Sequence, residues 1–224
     1  MYLYIYLENA GIYHEELAQA VHTESMNLPR SEVTIAKCLQ QHFNYSTLMI
    51  GKWHLGETMS PIVHGFDQSL GFNLLSRYLP AGSEQGVDFR LPDLLDQLLW
   101  ASARYQVSRN GEKQQFAPKG YLTDYFANEA ASAITSNKNN PFFLFLSLTA
   151  PHTPYQALRS DYDKLAHIED ELSRVYAAMI LSVDRAVGTV LDSLRTNGLI
   201  DDTLVIFTND NGAPSECLSF LLCA

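Results

Sequence analysis

Positive charge is scarce in this chain, cysteine is scarcer, and long apolar runs are missing. Lys and Arg number 15 against 25 Asp and Glu, a formal net charge of −10. That balance argues against non-specific nucleic-acid binding, which needs clustered basic residues to displace counterions from phosphates. It leaves an anionic small substrate open, because a few local cations or a bound metal ion reverse the potential inside one pocket. The three cysteines, Cys38, Cys217 and Cys223, cannot all pair within the chain. Their spacing resembles neither a zinc site nor a disulfide framework, so the redox compartment stays open. No apolar run reaches the roughly 18 residues of a membrane span. The apolar opening Met1–Leu7 is too short for a typical signal peptide and lacks its basic flank. It reads as a β-strand or as the arbitrary start of an incomplete chain. A single N-x-S sequon, at Asn44, says little about secretion.

What remains is an ordinary globular composition, 46% hydrophobic and 18% charged, which excludes a disordered chain. Its 224 residues suit one domain or most of one. There is no repeat and no low-complexity linker. Ser31 followed by Val33, Ala36, Leu39 and Phe43 predicts a capped helix over about 31–43. Tyr45–Ile50 reads as a buried strand closed by Gly51. A helix is expected around 91–104, and another beginning at a Thr123 cap. Phe142–Thr149 is nearly continuous apolar sequence, as in a strand covered on both faces. A long amphipathic helix spans about 170–197, with Gly198 at the expected C-terminal cap. Thr203–Thr208 then reads as a third buried strand. Strands alternating with long helices imply an α/β fold, a mainly parallel β-sheet flanked by helices on both faces.

In such sheets ligands bind beyond the carboxyl ends of the strands. Lys52 and His54 follow the first strand, His152 the second, and Asp210 and Asn211 the third. In Gly51-Lys52-Trp53-His54-Leu55-Gly56, the lysine offers a point charge for an anion and the histidine lies two residues on. The plainer alternative is a surface lysine and a core histidine. Pro151-His152-Thr153-Pro154 holds an imidazole between two prolines that fix φ, as suits a general acid or base; taken alone, it reads sooner as a rigid turn with an incidental histidine. Asn209-Asp210-Asn211-Gly212 offers hard oxygen donors for Ca²⁺ or Mg²⁺, yet Asp-Asn-Gly is also an ordinary turn. His64-Gly65-Phe66-Asp67 reads as structural and Asp201-Asp202 as a solvated turn.

Taken together, LPRSEVTIAKCLQQ, GKWHLG, HGFDQSLGF, GYLTDYFANEA, PFFLFLSLTAPHTPYQA and DDTLVIFTNDNG resemble, in order and spacing, the arylsulfatases. The resemblance is to the sulfatase family, within the alkaline-phosphatase-like superfamily, and covers about residues 28–212 of a single partial catalytic domain. It implies a sulfuric ester hydrolase acting on a small-molecule or glycan sulfate ester, in a secreted, lysosomal or periplasmic setting. It implies a formylglycine nucleophile made from the cysteine of a C-x-P-x-R motif, and a Ca²⁺ ion holding the sulfate. By position Lys52 contacts the sulfate, His54 assists the hydrated aldehyde, His152 serves the leaving oxygen, and Asp210 and Asn211 bind the metal.

The departures limit that expectation. None of the nine prolines has Cys or Ser two residues before it and Arg two after, so the nucleophile motif is absent. The family's early Asp-Asp metal pair and a later lysine are also absent, and both chain ends lack the family pattern. The chain is therefore expected to be truncated at both ends, inactive as it stands, and at best a weak Ca²⁺ binder. Competing readings are a non-catalytic remnant binding an anion, metal or partner, and a phosphatase or phosphodiesterase relative. GKWHLG disfavours the latter.

Overall fold

The computed structural model describes residues 27–56 and 60–213. Met1–Leu7 and Cys217–Ala224, singled out above, lie outside them. The first described helix, α1 (Ile35–Phe43), starts later than Ser31 suggests. Its cap is Thr34, whose hydroxyl accepts from the Lys37 N–H at 3.0 Å and donates to the His64 carbonyl at 2.6 Å. That second bond explains the shift, because it ties the helix start to a residue 30 positions away.

β1 (Ser46–Lys52) lies inside a five-stranded sheet with β2 (Gln68–Phe72), β4 (Val107–Arg109), β5 (Gln115–Phe116) and β6 (Phe142–Ser147). The order is β5-β4-β2-β1-β6. β1 runs parallel to both β2 and β6, whereas β4 and β5 join antiparallel at the far edge. β3 (Gly86–Phe89) and β7 (Tyr155–Leu158) form a separate antiparallel pair.

Neighbouring residues of β1 feed opposite faces, as the pleat dictates. Ile50 joins a large core with Leu70, Phe126, Ala130, Val175 and Met179, supplied by α3 (Leu122–Asn137) and α5 (Glu171–Thr196). Met49 faces a smaller cluster of Leu28, Ala36, Trp53 and Phe66 beneath α1. Helices thus cover both faces, the architecture expected from the sequence. α5 begins at its Asp170 cap, whose carboxylate accepts from the Ser173 N–H at 2.8 Å, and Gly198 follows it at φ 69°. Arg185 of α5 bonds Asp124 of α3 and the buried Asp161 of α4 (Arg159–Lys164), locking three helices together. Thr123 is not a cap: it is buried within α3, and Tyr121 precedes the first turn. α2 (Leu94–Ser102) is capped by Asp93 and lies within the stretch expected.

The third expected strand is corrected. Residues 203–208 carry no regular secondary structure and join no ladder among the described residues, and Leu204, Ile206 and Phe207 are exposed. An apolar run supplies strand propensity, but a strand exists only where a partner edge is at hand.

Candidate functional site

The site begins where three strands crowd together. Gly51 faces Gly71 on one side and Ser147 on the other. A Cβ on Gly51 would lie 1.9 Å from the Ser147 carbonyl oxygen, and the residue sits at φ +117°. Only glycine fits this point, at the crowded end of β1 immediately before Lys52. The ladder continues past the strand: Trp53 N–H donates to the Phe72 carbonyl at 3.0 Å and His54 N–H to the Asn73 carbonyl at 2.8 Å. His54 adopts a left-handed φ of 57°. Trp53 turns inward, stacking on His64 at 5.5 Å and meeting Phe66 edge-on at 6.2 Å. The indole anchors the segment while Lys52 and His54 flank it.

His152 is held just as firmly. Its N–H donates to the Thr149 carbonyl at 2.8 Å, and its own carbonyl accepts from the Tyr78 hydroxyl at 2.9 Å. Its Nδ1 lies 2.6 Å from the Thr153 carbonyl oxygen. That acceptor requires Nδ1 to carry the proton, which leaves Nε2 of the neutral ring free to accept one. Tyr78 is fixed in turn: it stacks on Tyr121 at 5.6 Å, and its N–H donates to the buried Gln156 side chain at 3.0 Å. Sequence reasoning found neither Tyr78 nor Gln156. Their roles depend on pairing between chain segments some 70 or more residues apart, 74 for Tyr78 with His152 and 78 for Tyr78 with Gln156.

Asp210 and Asn211 stand in an exposed turn closed by local bonds, Asn209 Nδ2 to the Asn211 carbonyl at 2.8 Å and Asn211 Nδ2 to the Gly212 carbonyl at 3.0 Å. Asp210 is nonetheless close enough to raise the pKa values of Lys52, His54 and His152. The three bases are all shifted down, chiefly by desolvation. His54 falls to about 4, with the Lys52 and His152 cations adding to the burial effect. For His152 the Lys52 cation acts the same way, and the Thr153 carbonyl opposes it. Both rings keep accessible surface, so they are hemmed in by surrounding chain rather than sealed off. Such a cluster holds two neutral imidazoles beside Lys52 near neutral pH, and an incoming anion favours the cationic form of each base.

Of the residues singled out from the sequence, the structure brings Lys52, His54, His152 and Asp210 within electrostatic reach of one another. Asn211 enters only as the neighbour of Asp210. His64 is fully buried, and Asp67 accepts from the Thr47 N–H at 2.8 Å and from Gln40 at 2.6 Å, so the HGFD segment is structural. As a Ca²⁺ site the donor set falls short. The ion takes six to eight oxygens, and among the described residues no group of three His, Cys, Asp or Glu side chains could hold a metal. One carboxylate and one carboxamide do not fit a complete shell.

The sulfatase family model matches residues 4–218. The chain is 28% identical to the uncharacterized sulfatase YdeN of Escherichia coli over 190 residues, 83% of this chain and 34% of that protein. It is 32% identical to the arylsulfatase of Hemicentrotus pulcherrimus over 197 residues, 84% of this chain and 33% of that one. Among solved structures, Ps i-CgsB in complex with k-i-k-neocarrahexaose superposes with a TM-score of 0.64 at 30% identity, over 79% of this chain and 39% of that chain. The chain thus spans about a third of the length of these curated relatives. With the family model running through nearly the whole sequence, this chain belongs to the sulfatase family.

Proposed function

We propose that this chain carries the anion-binding and proton-transfer portion of a sulfuric ester hydrolase site and, as it stands, binds a sulfate group without turning it over. The observation behind this reading is the cluster of Lys52, His54, His152 and Asp210, drawn from the ends of three separate chain segments. Lys52 neutralises charge on a sulfuryl oxygen. His152, its Nδ1 proton engaged with the Thr153 carbonyl, takes up or returns a proton at Nε2, where a leaving oxygen is served. His54 plays the second proton carrier. Asp210 balances the added positive charge when a ring is protonated. Family membership supports the ester class, and the oligosaccharide held by Ps i-CgsB supports a glycan sulfate ester over a small aryl one.

The chain lacks a group to attack sulfur. Covalent catalysis needs a nucleophile that splits the difficult step in two. Cys38 sits within α1 and is followed by Leu39-Gln40-Gln41, not by the modification motif. Ca²⁺ binding is weak, in the millimolar range or beyond, because affinity falls as charged ligands are removed. The test pairs two measurements on the chain co-expressed with the formylglycine-generating enzyme. A chromogenic sulfate ester is expected to show no turnover. Calorimetry with inorganic sulfate is expected to show binding that drops about 10-fold or more in Lys52→Ala and His152→Ala, the worth of one charged hydrogen bond. Turnover that vanishes in both variants overturns the inactivity. Sulfate binding that neither variant weakens overturns the site.

A further inference from the structure

Besides the cluster of Lys52, His54 and His152, the molecule has an open cleft of about 620 Å³ that the proposed chemistry leaves unused. Leu79, Pro80, Tyr105 and Pro118 give it apolar walls, and Glu84 and Gln85 add polar groups. Its volume lies within the roughly 300–1,000 Å³ of small-ligand pockets and exceeds what one sulfate group fills. Glu84 and Gln85 are exposed, and no described residue pairs with either side chain.

Strand directions put this cleft on the same edge of the sheet as the site. β4 runs antiparallel to β2, pairing Ser108 with Gly71, so Tyr105 lies past the carboxyl end of β2. β5 runs antiparallel to β4, pairing Phe116 with Val107, so it leaves the sheet at that edge too, with Pro118 two residues on. The Tyr105 hydroxyl donates to the Gly120 carbonyl, which ties these two walls together. The third wall starts from the site itself. Tyr78 donates its hydroxyl to the His152 carbonyl, and Leu79 and Pro80 come next in the chain. β4 stands two strands from β1, a lateral step of roughly 10 Å at about 4.8 Å per strand. A short oligosaccharide spans that step.

We propose that this cleft receives an uncharged sugar unit of the glycan whose sulfate ester lies at Lys52, and so selects sulfated glycans with a neutral backbone over uronate-bearing ones. The inference rests on the sulfate site proposed above and adds its substrate class. A sugar ring has apolar C–H faces and a rim of hydroxyls. Tyr105, Pro80 and Pro118 offer apolar surface to the faces. The Glu84 carboxylate accepts from hydroxyls, and the Gln85 carboxamide both accepts from them and donates to them. Charge makes the choice of unit. Glu84 is the one charged residue lining the cleft; Lys119 does not line it, although Pro118 and Gly120 on either side do. A carboxylate or a second sulfate on the seated unit meets like charge there, whereas a ring bearing only hydroxyls does not.

Calorimetry on the full chain tests this with three probes. They are inorganic sulfate, a κ-carrageenan hexasaccharide, in which each sulfated sugar neighbours an unsulfated one, and a chondroitin sulfate hexasaccharide, whose uronates are anionic. The carrageenan hexasaccharide is expected to bind about 10-fold more tightly than inorganic sulfate, the worth of one or two added hydrogen bonds. It is expected to bind about 3-fold more tightly than the chondroitin hexasaccharide, as one exposed charge contact allows. Gln85→Ala and Tyr105→Ala are each expected to remove about 5-fold of the gain and to leave inorganic sulfate within about 2-fold of the parent. Glu84→Gln is expected to close the gap between the two hexasaccharides. A carrageenan hexasaccharide bound no more tightly than sulfate overturns the proposal, and so does a gain that both Gln85→Ala and Tyr105→Ala leave intact. Chondroitin hexasaccharide bound as tightly as carrageenan overturns the choice of a neutral backbone. Should Tyr105→Ala also abolish sulfate binding through misfolding, the exposed Gln85 decides alone. Sulfate binding unchanged in Lys52→Ala, with the hexasaccharide effects intact, overturns the sulfate site while the cleft stands.

Discussion

β1 and residues 203–208 are near twins in sequence and opposites in structure. Each is a short apolar run, and each leads into residues proposed for the site, Lys52 and His54 in one case, Asp210 and Asn211 in the other. Five consecutive residues of β1 are buried, and the strand pairs along both edges. Leu204 to Phe207 are exposed, and among the described residues nothing pairs with them. Strand propensity is thus common to both, while neighbours decide which becomes rigid. The site inherits the difference. His54 is fixed by a ladder bond to Asn73, and Asp210 sits in a turn closed only by its own asparagines.

The comparison breaks hardest at Gly51. Gly51→Val drives a Cβ to within 1.9 Å of the Ser147 carbonyl at a φ of +117°, and is expected to cost more than about 4 kcal/mol, read as loss of the cooperative urea transition. Next comes Met49→Ala, which empties a core position 2% exposed and is expected to cost about 2–5 kcal/mol in the same melts. Leu204→Ala probes the other twin. It is expected to cost about 0.5 kcal/mol or less, because that side chain is 85% exposed.

A smaller effect tracks pH. His54, His64 and His152 all have folded pKa values below the usual 6.5, with burial as the first cause in each. The folded state therefore binds fewer protons than the unfolded state below that value, so stability is full above about pH 6.5 and falls as pH drops, toward about 4 for His54. The urea midpoint is expected to be lower at pH 5.0 than at 7.5. His64→Phe should flatten this slope, since neither His64 ring nitrogen has a hydrogen-bond partner to orphan. The smallest expected change is Gly212→Ala, under about 0.5 kcal/mol, because a Cβ there meets nothing within 4 Å.

Much of the fold is legible in the sequence where the signal is local. The Asp170 cap, the apolar stripe and Gly198 mark α5 to within a residue at either end. β1 and β6 announce themselves as apolar runs. The five candidate site residues stand just beyond the apolar runs, and four of them exert mutual electrostatic effects. The features that escape such reading are non-local. The β3–β7 pair joins residues 86–89 to 155–158, and no periodicity in either stretch reveals the other. Thr34 displaces Ser31 as a cap through a bond to His64. The buried Gln156, which orders the Tyr78 backbone behind His152, looks like any surface glutamine in the sequence.

Trp53 lies between the two proposed site residues of its segment and is stacked 5.5 Å from His64. The only other tryptophan, Trp100, lies elsewhere, its ring within 5.3 Å of the Arg77 guanidinium and 4.6 Å of that of Arg90. A Trp100→Phe chain therefore carries a single tryptophan, excited apart from the tyrosines at the red edge of absorption and flanked by the lysine and histidine that would meet an anion. Its emission is then expected to report an anion bound beside it, with or without turnover.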